Sequence, residues 1–371
     1  MKEVLLKGWF GKDNIGDDLL LNEALYNLPL NWTIYVEGEE NDFINFQSIR
    51  NIVIISTNEK KTKTPNIIFY HGGGIFPSLR LSYGTFVTLV KEILIPKNLL
   101  FFGIGISPKE GLKNLLYHFL FKKARFITVR DNVSKLYLER IGIKNVLNSG
   151  DIIWINKDRV PLSLPIFKRK NILVCLAQPY PITDLNNPHN KKRYDNFVGQ
   201  VQKVIIYLQN KGYFLSFIPF LKTDDIYLIN QLIPVLNTAN YTILKVGDQF
   251  QLESINSLFK SADFSFCMRF HSKLLSIKNQ LPLVGICYDF KSECLLEECG
   301  ISETGLRFGI RPDACFGEEV DFKAEDIIQK FEYVFENENG IRQKMKTFAE
   351  SKTLQCEKKY AEMIDVVNAL K

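Results

Sequence analysis

Residues 263–291, DFSFCMRFHSKLLSIKNQLPLVGICYDFK, contain one complete strand–helix–strand unit. The apolar runs Asp263–Met268 and Leu283–Tyr288 predict two buried strands, and Ser272–Asn279 between them has the spacing of a helix. Strands that are apolar on both faces and joined by a helix are typical of a parallel sheet covered by helices. This unit therefore predicts an α/β fold.

The same alternation runs through the chain before this unit. Further strand patterns occupy Val4–Trp9, Thr33–Val36, Asn51–Ser56, Asn66–Tyr70, Leu99–Ile106, Arg125–Val129, Val146–Trp154, Asn171–Ala177, Tyr213–Phe220 and Tyr241–Lys245. Helical patterns between them include Asp17–Leu28, Tyr83–Ile95, Leu112–Lys123 and Tyr194–Asn210. Alternating strands and helices predict a doubly wound sheet, in which ligands bind beyond the carboxyl ends of the strands.

The alternation is interrupted once. Asn156–Lys170 has no periodicity and contains Pro161 and Pro165, so we expect a linker there. The pattern therefore predicts an N-terminal α/β domain over residues 1–158 and a C-terminal α/β domain over 171–335. A helical tail over 336–371 follows, and packing against the first domain is one option for it.

The composition indicates which classes of protein the chain can belong to. The 371 residues carry a formal net charge of +6, with 46% hydrophobic and 24% charged residues, as is ordinary for a globular protein. This mild positive surplus suits an anionic substrate and argues against a dedicated nucleic-acid binder. The seven cysteines have irregular spacings, which favours reduced thiols over disulfides or a metal site.

The sequence also predicts where in the cell the protein lies. No signal-peptide pattern is present, and no run approaches the roughly 20 apolar residues of a spanning helix. We therefore expect a cytoplasmic protein, with a peripheral position on the inner face of the cell membrane as an alternative. The segment Leu112–Lys123 is apolar with basic flanks. A helix packed on the sheet is the favoured interpretation, and a helix lying on an anionic leaflet is the alternative.

A glycine-rich loop, GWFGKDNIGDD, covers residues 8–18 between the first predicted strand and helix. Glycines let the backbone approach a ligand closely, and free amides at a helix start favour an anion. Gly11, Asn14 and Gly16 are therefore candidate substrate contacts. Asp17 or Asp18 could instead simply cap the helix, which is the alternative interpretation of the loop. The loop matches neither the dinucleotide fingerprint nor a Walker A loop.

A second glycine turn follows a predicted strand. His71 precedes Gly72, Gly73 and Gly74, where a sheet of this class binds its ligand. The turn resembles an oxyanion-hole motif of ester hydrolases, but the chain lacks the Gly-x-Ser-x-Gly elbow that those enzymes require. We expect the three glycines to contact a ligand, with a bare tight turn as the alternative.

Two charged steps end strands of the first domain. Arg130 follows the strand Arg125–Val129, where it would project toward the ligand site while Asp131 caps the next helix. Asp151 lies within the predicted strand Val146–Trp154 and is a candidate carboxylate facing the ligand site. On the sequence alone, an ordinary surface salt bridge is the favoured interpretation of Arg130, and an ordinary turn is the alternative for Asp151.

The most informative block lies in the opening stretch. Arg269 and His271 stand where one strand ends and the next helix begins, and Lys291 follows the neighbouring strand at the matching place. Arginine binds carboxylate or phosphate through two parallel hydrogen bonds, and lysine offers a compact charge. Histidine is the side chain best suited to proton transfer near neutral pH. The block predicts a site for an anionic substrate with an acid–base group.

With these motifs the chain resembles the polysaccharide pyruvyl transferases. The resemblance runs from about residue 8 to residue 291 and rests on Asn14-Ile15-Gly16-Asp17, Gly72-Gly73-Gly74, Val129-Arg130-Asp131, Arg269-Phe270-His271-Ser272 and Lys291. It implies a glycosyltransferase B type fold, with two Rossmann-like domains facing a cleft. Members of the family often have leucine or isoleucine where this chain has Phe270, a departure that we do not expect to alter the chemistry.

The resemblance also implies an activity. Phosphoenolpyruvate would be the donor, without a metal or other cofactor, and a glycan, in a cell-surface polysaccharide or its lipid-linked precursor, the acceptor. Arg130, Arg269 and Lys291 would hold the donor's phosphate and carboxylate, and His271 would be the general acid. Asp17 and Asp151 remain candidates for a base or a hydroxyl-orienting group.

Two other functions stay open at this point. A nucleotide-sugar glycosyltransferase of the same fold would use Arg269 and Lys291 for a diphosphate and His271 as a base. A non-catalytic carbohydrate-binding relative would keep the fold without the activity, although it would not need to retain Arg269, His271 and Lys291.

Overall fold

A computed structural model describes residues 2–55, 65–73, 87, 90, 93–94, 97–106, 112–162, 170–248, 250–309 and 321–370. The chain forms two compact units. The first comprises residues 1–12, 17–156 and 351–371, and the second comprises 13–16 and 157–350. Each unit contains a parallel sheet with helices packed against it, so the predicted α/β class is confirmed.

The sheet of the first unit has the strand order β3-β2-β1-β4-β5-β6-β7 within the described residues. Its strands are β1 (Glu3–Lys7), β2 (Thr33–Glu37), β3 (Ile52–Ile55), β4 (Ile67–His71), β5 (Asn98–Ile104), β6 (Ala124–Val129) and β7 (Leu147–Asn148). Its helices are α1 (Ile15–Asn27, which begins in the second unit), α2 (Ile44–Gln47), α3 (Leu112–Lys122) and α4 (Asn132–Arg140). All the strand pairs are parallel, so the carboxyl ends of the strands share one edge.

The sheet of the second unit has the order β10-β9-β8-β11-β12-β13 in the described part of the chain. Its strands are β8 (Asn171–Cys175), β9 (Phe214–Phe217), β10 (Tyr241–Ile243), β11 (Phe264–Cys267), β12 (Leu283–Cys287) and β13 (Gly305–Arg307). Its helices are α5 (Pro188–Asn210), α6 (Lys222–Leu232), α7 (Ile255–Lys260), α8 (Phe270–Lys278), α9 (Phe290–Glu298) and α10 (Ala324–Glu336). The last helix, α11 (Glu338–Ala369), begins in this unit, and its residues from Ser351 onward belong to the first unit.

The central strands of both sheets are buried because they carry apolar side chains on both faces. All residues of β4, β8, β11 and β12 are buried. Helix α3 contributes Leu116, Tyr117, Leu120 and Phe121 to the core beside β4 and β5. The favoured interpretation of the segment Leu112–Lys123, a helix packed on the sheet, is therefore confirmed.

Several predicted elements differ from the structure. The strand predicted over Val146–Trp154 is wrong, because only Leu147–Asn148 pairs and a 3-10 helix occupies Ile152–Ile155. Gly150 interrupts the strand with a φ of +73°, in the left-handed region that favours glycine. Strand β13 was not predicted, and α5 begins at Pro188, earlier than its apolar period suggested. Most of the predicted helix Tyr83–Ile95 lies outside the described residues.

No helix in the described ranges combines the length and the apolar character that crossing a bilayer requires.

Candidate functional site

The strand–helix–strand unit of the opening stretch brings three predicted residues to one edge of the second sheet. Strands β11 and β12 are parallel neighbours, with Cys267 opposite Gly285. Arg269 is the residue before α8, and His271 lies in the first turn of that helix. Lys291 lies in the first turn of α9, which follows β12. The grouping predicted for Arg269, His271 and Lys291 thus follows from the parallel register.

Arg269 is held by a buried carboxylate that sequence reasoning missed. Its Nε lies 3.2 Å from Oδ2 of Asp225, and its Nη2 lies 2.5 Å from Oδ1. The two carboxylate oxygens also accept hydrogen bonds from the backbone amides of Gln178, at 3.1 Å, and Leu221, at 2.8 Å. Asp225 is fully buried, whereas the Arg269 side chain keeps 23% of its surface exposed. Asp225 therefore fixes the guanidinium and leaves part of it open to a ligand.

The electrostatics of Arg269 are consistent with a permanently charged group. Burial acts to lower its pKa, but the Asp225 carboxylate and the Tyr288 hydroxyl, which is hydrogen-bonded to it, raise the pKa above its usual range. Burial also raises the pKa of Tyr288 to about 12, against the opposing effect of the arginine. The tyrosine therefore stays neutral at physiological pH, and the arginine keeps its charge.

The glycine-rich loop packs against His271. Residues 13–16 belong to the second unit, where the Ile15 amide donates to the Phe220 carbonyl at 2.8 Å. A side chain at Gly16 would place its Cβ 1.9 Å from Nδ1 of His271, so only glycine allows this approach. Asn14 accepts a hydrogen bond from the Gly16 amide at 3.1 Å, just before α1 begins. Gly16 and Asn14 therefore shape the surroundings of the histidine.

A buried lysine supports the same sheet edge. Lys273 is fully buried, and its Nζ donates to the carbonyls of Met268, at 2.5 Å, and Ile286, at 2.9 Å. It thereby joins the ends of β11 and β12. Burial acts to raise the pKa of Asp289, but Lys291, Lys273 and the Ser292 amide together lower it. Sequence reasoning missed Lys273, since a lysine inside a helical pattern is usually exposed.

Arg130 belongs to the first unit and is almost completely buried. Its guanidinium lies 3.6 Å from Asp131 and 3.9 Å from Asp151, and 3% of its side chain is exposed. Asp131 also caps α4 through the Ser134 amide at 2.7 Å, as predicted. A Cβ at Gly105 would lie 2.5 Å from Nε of Arg130, so the glycine makes room for the guanidinium. Sequence reasoning missed Gly105, which directly follows β5 and is two residues after Gly103.

Asp151 accepts a hydrogen bond from the Ile153 amide at 3.0 Å and begins the 3-10 helix that replaces the predicted strand. It is buried and close to Arg130. The structure therefore brings Arg130 and Asp151 together, in a cluster of one cation and two carboxylates.

The turn after β4 is tight and its backbone is already bonded. Gly72 and Gly73 have φ values of +62° and +71°, which explains the glycines. The Gly72 amide donates to the Phe102 carbonyl at 2.8 Å, and the Gly73 carbonyl accepts from the Gly105 amide at 2.9 Å. Gly74 lies outside the described residues. His71 is fully buried between aromatic rings, and burial lowers its pKa to about 3 against the opposing effect of Asp151.

The remaining predicted residues lie at the start of the first unit. Gly11 has a φ of +66°, and its amide donates to the Asp18 carboxylate at 2.8 Å. Asp17 is buried in the first turn of α1. No group of three or more His, Cys, Asp and Glu side chains in the described residues is arranged to hold a metal ion.

The protein is an α/β protein of the glycosyltransferase B type. It has two parallel sheets covered by helices, and charged residues follow the carboxyl ends of the strands. A glycosyltransferase from Rickettsia africae superposes with a TM-score of 0.58 at 10% identity, over 100% of this chain and 99% of that one. S. aureus MnaA, in a co-structure with UDP, gives 0.57 at 11% identity, over 93% and 90%. A putative UDP-N-acetylglucosamine 2-epimerase from Listeria monocytogenes gives 0.56 at 11%, over 93% and 90%. At such identities the likeness concerns the fold alone.

The chain belongs to the polysaccharide pyruvyl transferase family, whose model matches residues 14–289. The amylovoran biosynthesis protein AmsJ of Erwinia amylovora is 22% identical over an alignment of 263 residues that covers 66% of this chain. The match spans 61% of that curated relative. The matched range contains Arg130, Arg269 and His271 and ends just before Lys291.

Proposed function

We propose that this protein transfers the pyruvyl group of phosphoenolpyruvate to two hydroxyls of a sugar, forming a ketal and releasing phosphate. The acceptor would belong to a cell-surface polysaccharide or to its lipid-linked precursor. Membership of the pyruvyl transferase family supports the reaction class. The observation that carries the proposal is the edge of the second sheet, where Arg269, His271 and Lys291 come together.

The donor carries a phosphate and a carboxylate, so its site needs fixed cations. Arg269 is suited to one anionic group because Asp225 and Tyr288 hold it while part of its surface stays open. Lys291 adds a compact charge at the neighbouring strand end. Arg130 is a third candidate by family resemblance, although Asp131 and Asp151 already face its guanidinium.

His271 would act as the general acid. It gives a proton to the methylene carbon of phosphoenolpyruvate, which makes the adjacent carbon electrophilic. A sugar hydroxyl attacks that carbon, and the bond from the carbon to the phosphate oxygen breaks. A second hydroxyl then closes the ketal. One hydroxyl proton is recovered on the new methyl group through His271, and the other leaves with the phosphate, so the atoms balance.

The acceptor side is assigned to the first unit. Asp17 and Asp151 would orient or deprotonate the sugar hydroxyls, and the glycines Gly11, Gly72 and Gly73 would contact the acceptor. Asp151 is buried beside Arg130, and we assign it the role of orienting a sugar hydroxyl.

The test is phosphate release from phosphoenolpyruvate by the purified protein with a panel of simple and lipid-linked glycosides. We expect release that depends on one glycoside, and that glycoside should gain the mass of a pyruvyl ketal. His271→Asn should abolish release without changing the thermal unfolding temperature. His189→Asn, at the exposed start of α5, is the matched control and should keep the wild-type rate.

Two results would contradict the proposal. A His271→Asn variant with the full rate would remove the histidine from the mechanism. Binding of a nucleotide sugar, with no binding of phosphoenolpyruvate, would instead favour a glycosyltransferase.

A further inference from the structure

Helix α3 has an apolar side that faces solvent. Its core-facing residues pack beside β4 and β5, but Leu115 and Phe119 are 52% and 47% exposed. Lys122, one turn further along the same side, is also exposed. Leu94 is 74% exposed and follows Ile93, whose carbonyl accepts a hydrogen bond from Lys123. The exposed apolar side of α3 therefore continues toward basic residues at the end of the helix.

Those basic residues surround a cavity of about 440 Å³. It is lined by Lys97, Asn98, Lys122, Lys123, Ala124 and Arg125, at the start of β5 and β6 and the end of α3. Among the residues described, no carboxylate lines it. The cavity lies at the opposite edge of the first sheet from Gly72 and Arg130, so it is separate from the candidate catalytic residues of this unit.

We propose that this surface, formed by the cavity and the exposed side of α3, binds an anionic lipid bilayer. The cavity suits a lipid phosphate group because four cations face a volume large enough for it. Leu115 and Phe119 would enter the boundary between headgroups and acyl chains, as the apolar face of an interfacial helix does. The cationic cavity together with the exposed apolar side chains favours a bilayer over free phosphate, because free phosphate makes no apolar contacts.

The charge contribution has a measurable size. Each lysine or arginine near an anionic leaflet strengthens binding about fivefold, which corresponds to about 1 kcal/mol. Removing the charges of Lys122 and Arg125 should therefore weaken binding about 25-fold. Added salt should weaken the wild-type protein as well, because exposed charges are screened.

The experiment is sedimentation of the full chain with vesicles of phosphatidylcholine alone or of phosphatidylcholine and phosphatidylglycerol in equal parts. We expect binding to the anionic vesicles only. The double variants Lys122→Gln with Arg125→Gln, and Leu115→Ser with Phe119→Ser, should each bind more weakly, the first by about 25-fold. Lys135→Gln with Leu136→Ser makes the same kinds of change on the exposed side of α4 and should bind like the wild type.

Several outcomes would overturn the proposal. These are no binding to anionic vesicles, equal binding to both vesicle types, or unchanged binding by both double variants. Displacement from the vesicles by millimolar inorganic phosphate at constant ionic strength would mean that the cavity is only a phosphate site. A dimer in light scattering that the Leu115→Ser, Phe119→Ser variant dissociates would mean that the surface joins two copies of this chain.

The result is independent of the proposed reaction. Both double variants should keep the thermal unfolding temperature, and with a water-soluble acceptor they should release phosphate at the wild-type rate. Loss of vesicle binding with this activity retained would support the lipid surface. Vesicle binding by a protein that never releases phosphate would leave the lipid surface standing and reject the pyruvyl transfer.

Discussion

Replacing Asp225 by asparagine keeps the shape of that side chain, but we expect it to leave the guanidinium of Arg269 no longer fixed in place. Each carboxylate oxygen accepts one backbone amide and one arginine nitrogen. Whichever way the new amide is turned, its NH₂ group faces one such pair of donors. Two hydrogen bonds are therefore lost, and the arginine loses its counter-charge.

The magnitude follows from this geometry. A hydrogen bond to a charged group contributes about 1.5–3 kcal/mol, and losing one partner of a buried ion pair costs about 3–5 kcal/mol. We expect the free energy of unfolding of the variant to be about 3 kcal/mol lower than that of the wild type. If the same amount is lost from transition-state binding through a misplaced guanidinium, kcat/KM for phosphoenolpyruvate falls about 100-fold.

The assay is phosphate release with the acceptor saturating, at a temperature where the variant is folded by circular dichroism. A donor-positioning role predicts that the loss appears mainly as a raised KM for phosphoenolpyruvate, with little change in the KM for the acceptor. Asp224→Asn is the matched control, because it makes the same substitution one residue away on the same helix, where the side chain is half-buried.

An Asp225→Asn variant with the kcat and KM of the control would refute the reasoning, since Arg269 would then need no carboxylate. A variant that loses stability but keeps its KM for phosphoenolpyruvate would show that Asp225 supports the fold only.

Three further predictions concern other buried contacts. Gly16→Ala would place a Cβ 1.9 Å from Nδ1 of His271, so phosphate release should fall about 100-fold. Gly199→Ala in α5 is the control and should keep the wild-type rate, because its Cβ would meet nothing within 4 Å. Equal rates for the two variants would contradict the packing of Gly16 against His271. Lys273→Met should lower the free energy of unfolding in urea by about 3 kcal/mol, because two strand-end carbonyls lose their donor. Lys203→Met, at an exposed position of α5, is the control and should change it little. Similar values for the two variants would contradict the role of Lys273. Burial lowers the pKa of His71 to about 3, so between pH 6.5 and 3 the unfolded chain binds a proton that the folded chain excludes. The free energy of unfolding therefore decreases as the pH falls through this range. His71→Phe should remove about 2 kcal/mol of the stability difference between pH 6.5 and about pH 5, and a variant with the wild-type acid sensitivity would show that another group is responsible.

The local pattern of the chain was enough to predict its class and much of one site. Apolar runs separated by amphipathic helices predict parallel sheets, because such strands bury both faces. In a parallel sheet, residues that follow adjacent strands must share an edge. Arg269 and Lys291 could therefore be placed together without any knowledge of side-chain contacts, and His271 followed from its separation from Arg269 by one residue.

The same pattern failed where the backbone conformation was decided by single residues. The run from Val146 to Trp154 is apolar enough for a strand, yet Gly150 adopts a positive φ and Asp151 begins a 3-10 helix. Strand β13 is short and partly exposed, so it has no apolar run to reveal it.

By itself the sequence determined which residues end each strand, and therefore which side chains share an edge of a sheet. Only the tertiary structure decided what those side chains touch. Asp225 binds Arg269, Gly16 borders His271, and two carboxylates enclose Arg130. The physical reason is that strand and helix periods are local, whereas these partners come from distant parts of the chain and meet only when the core has packed.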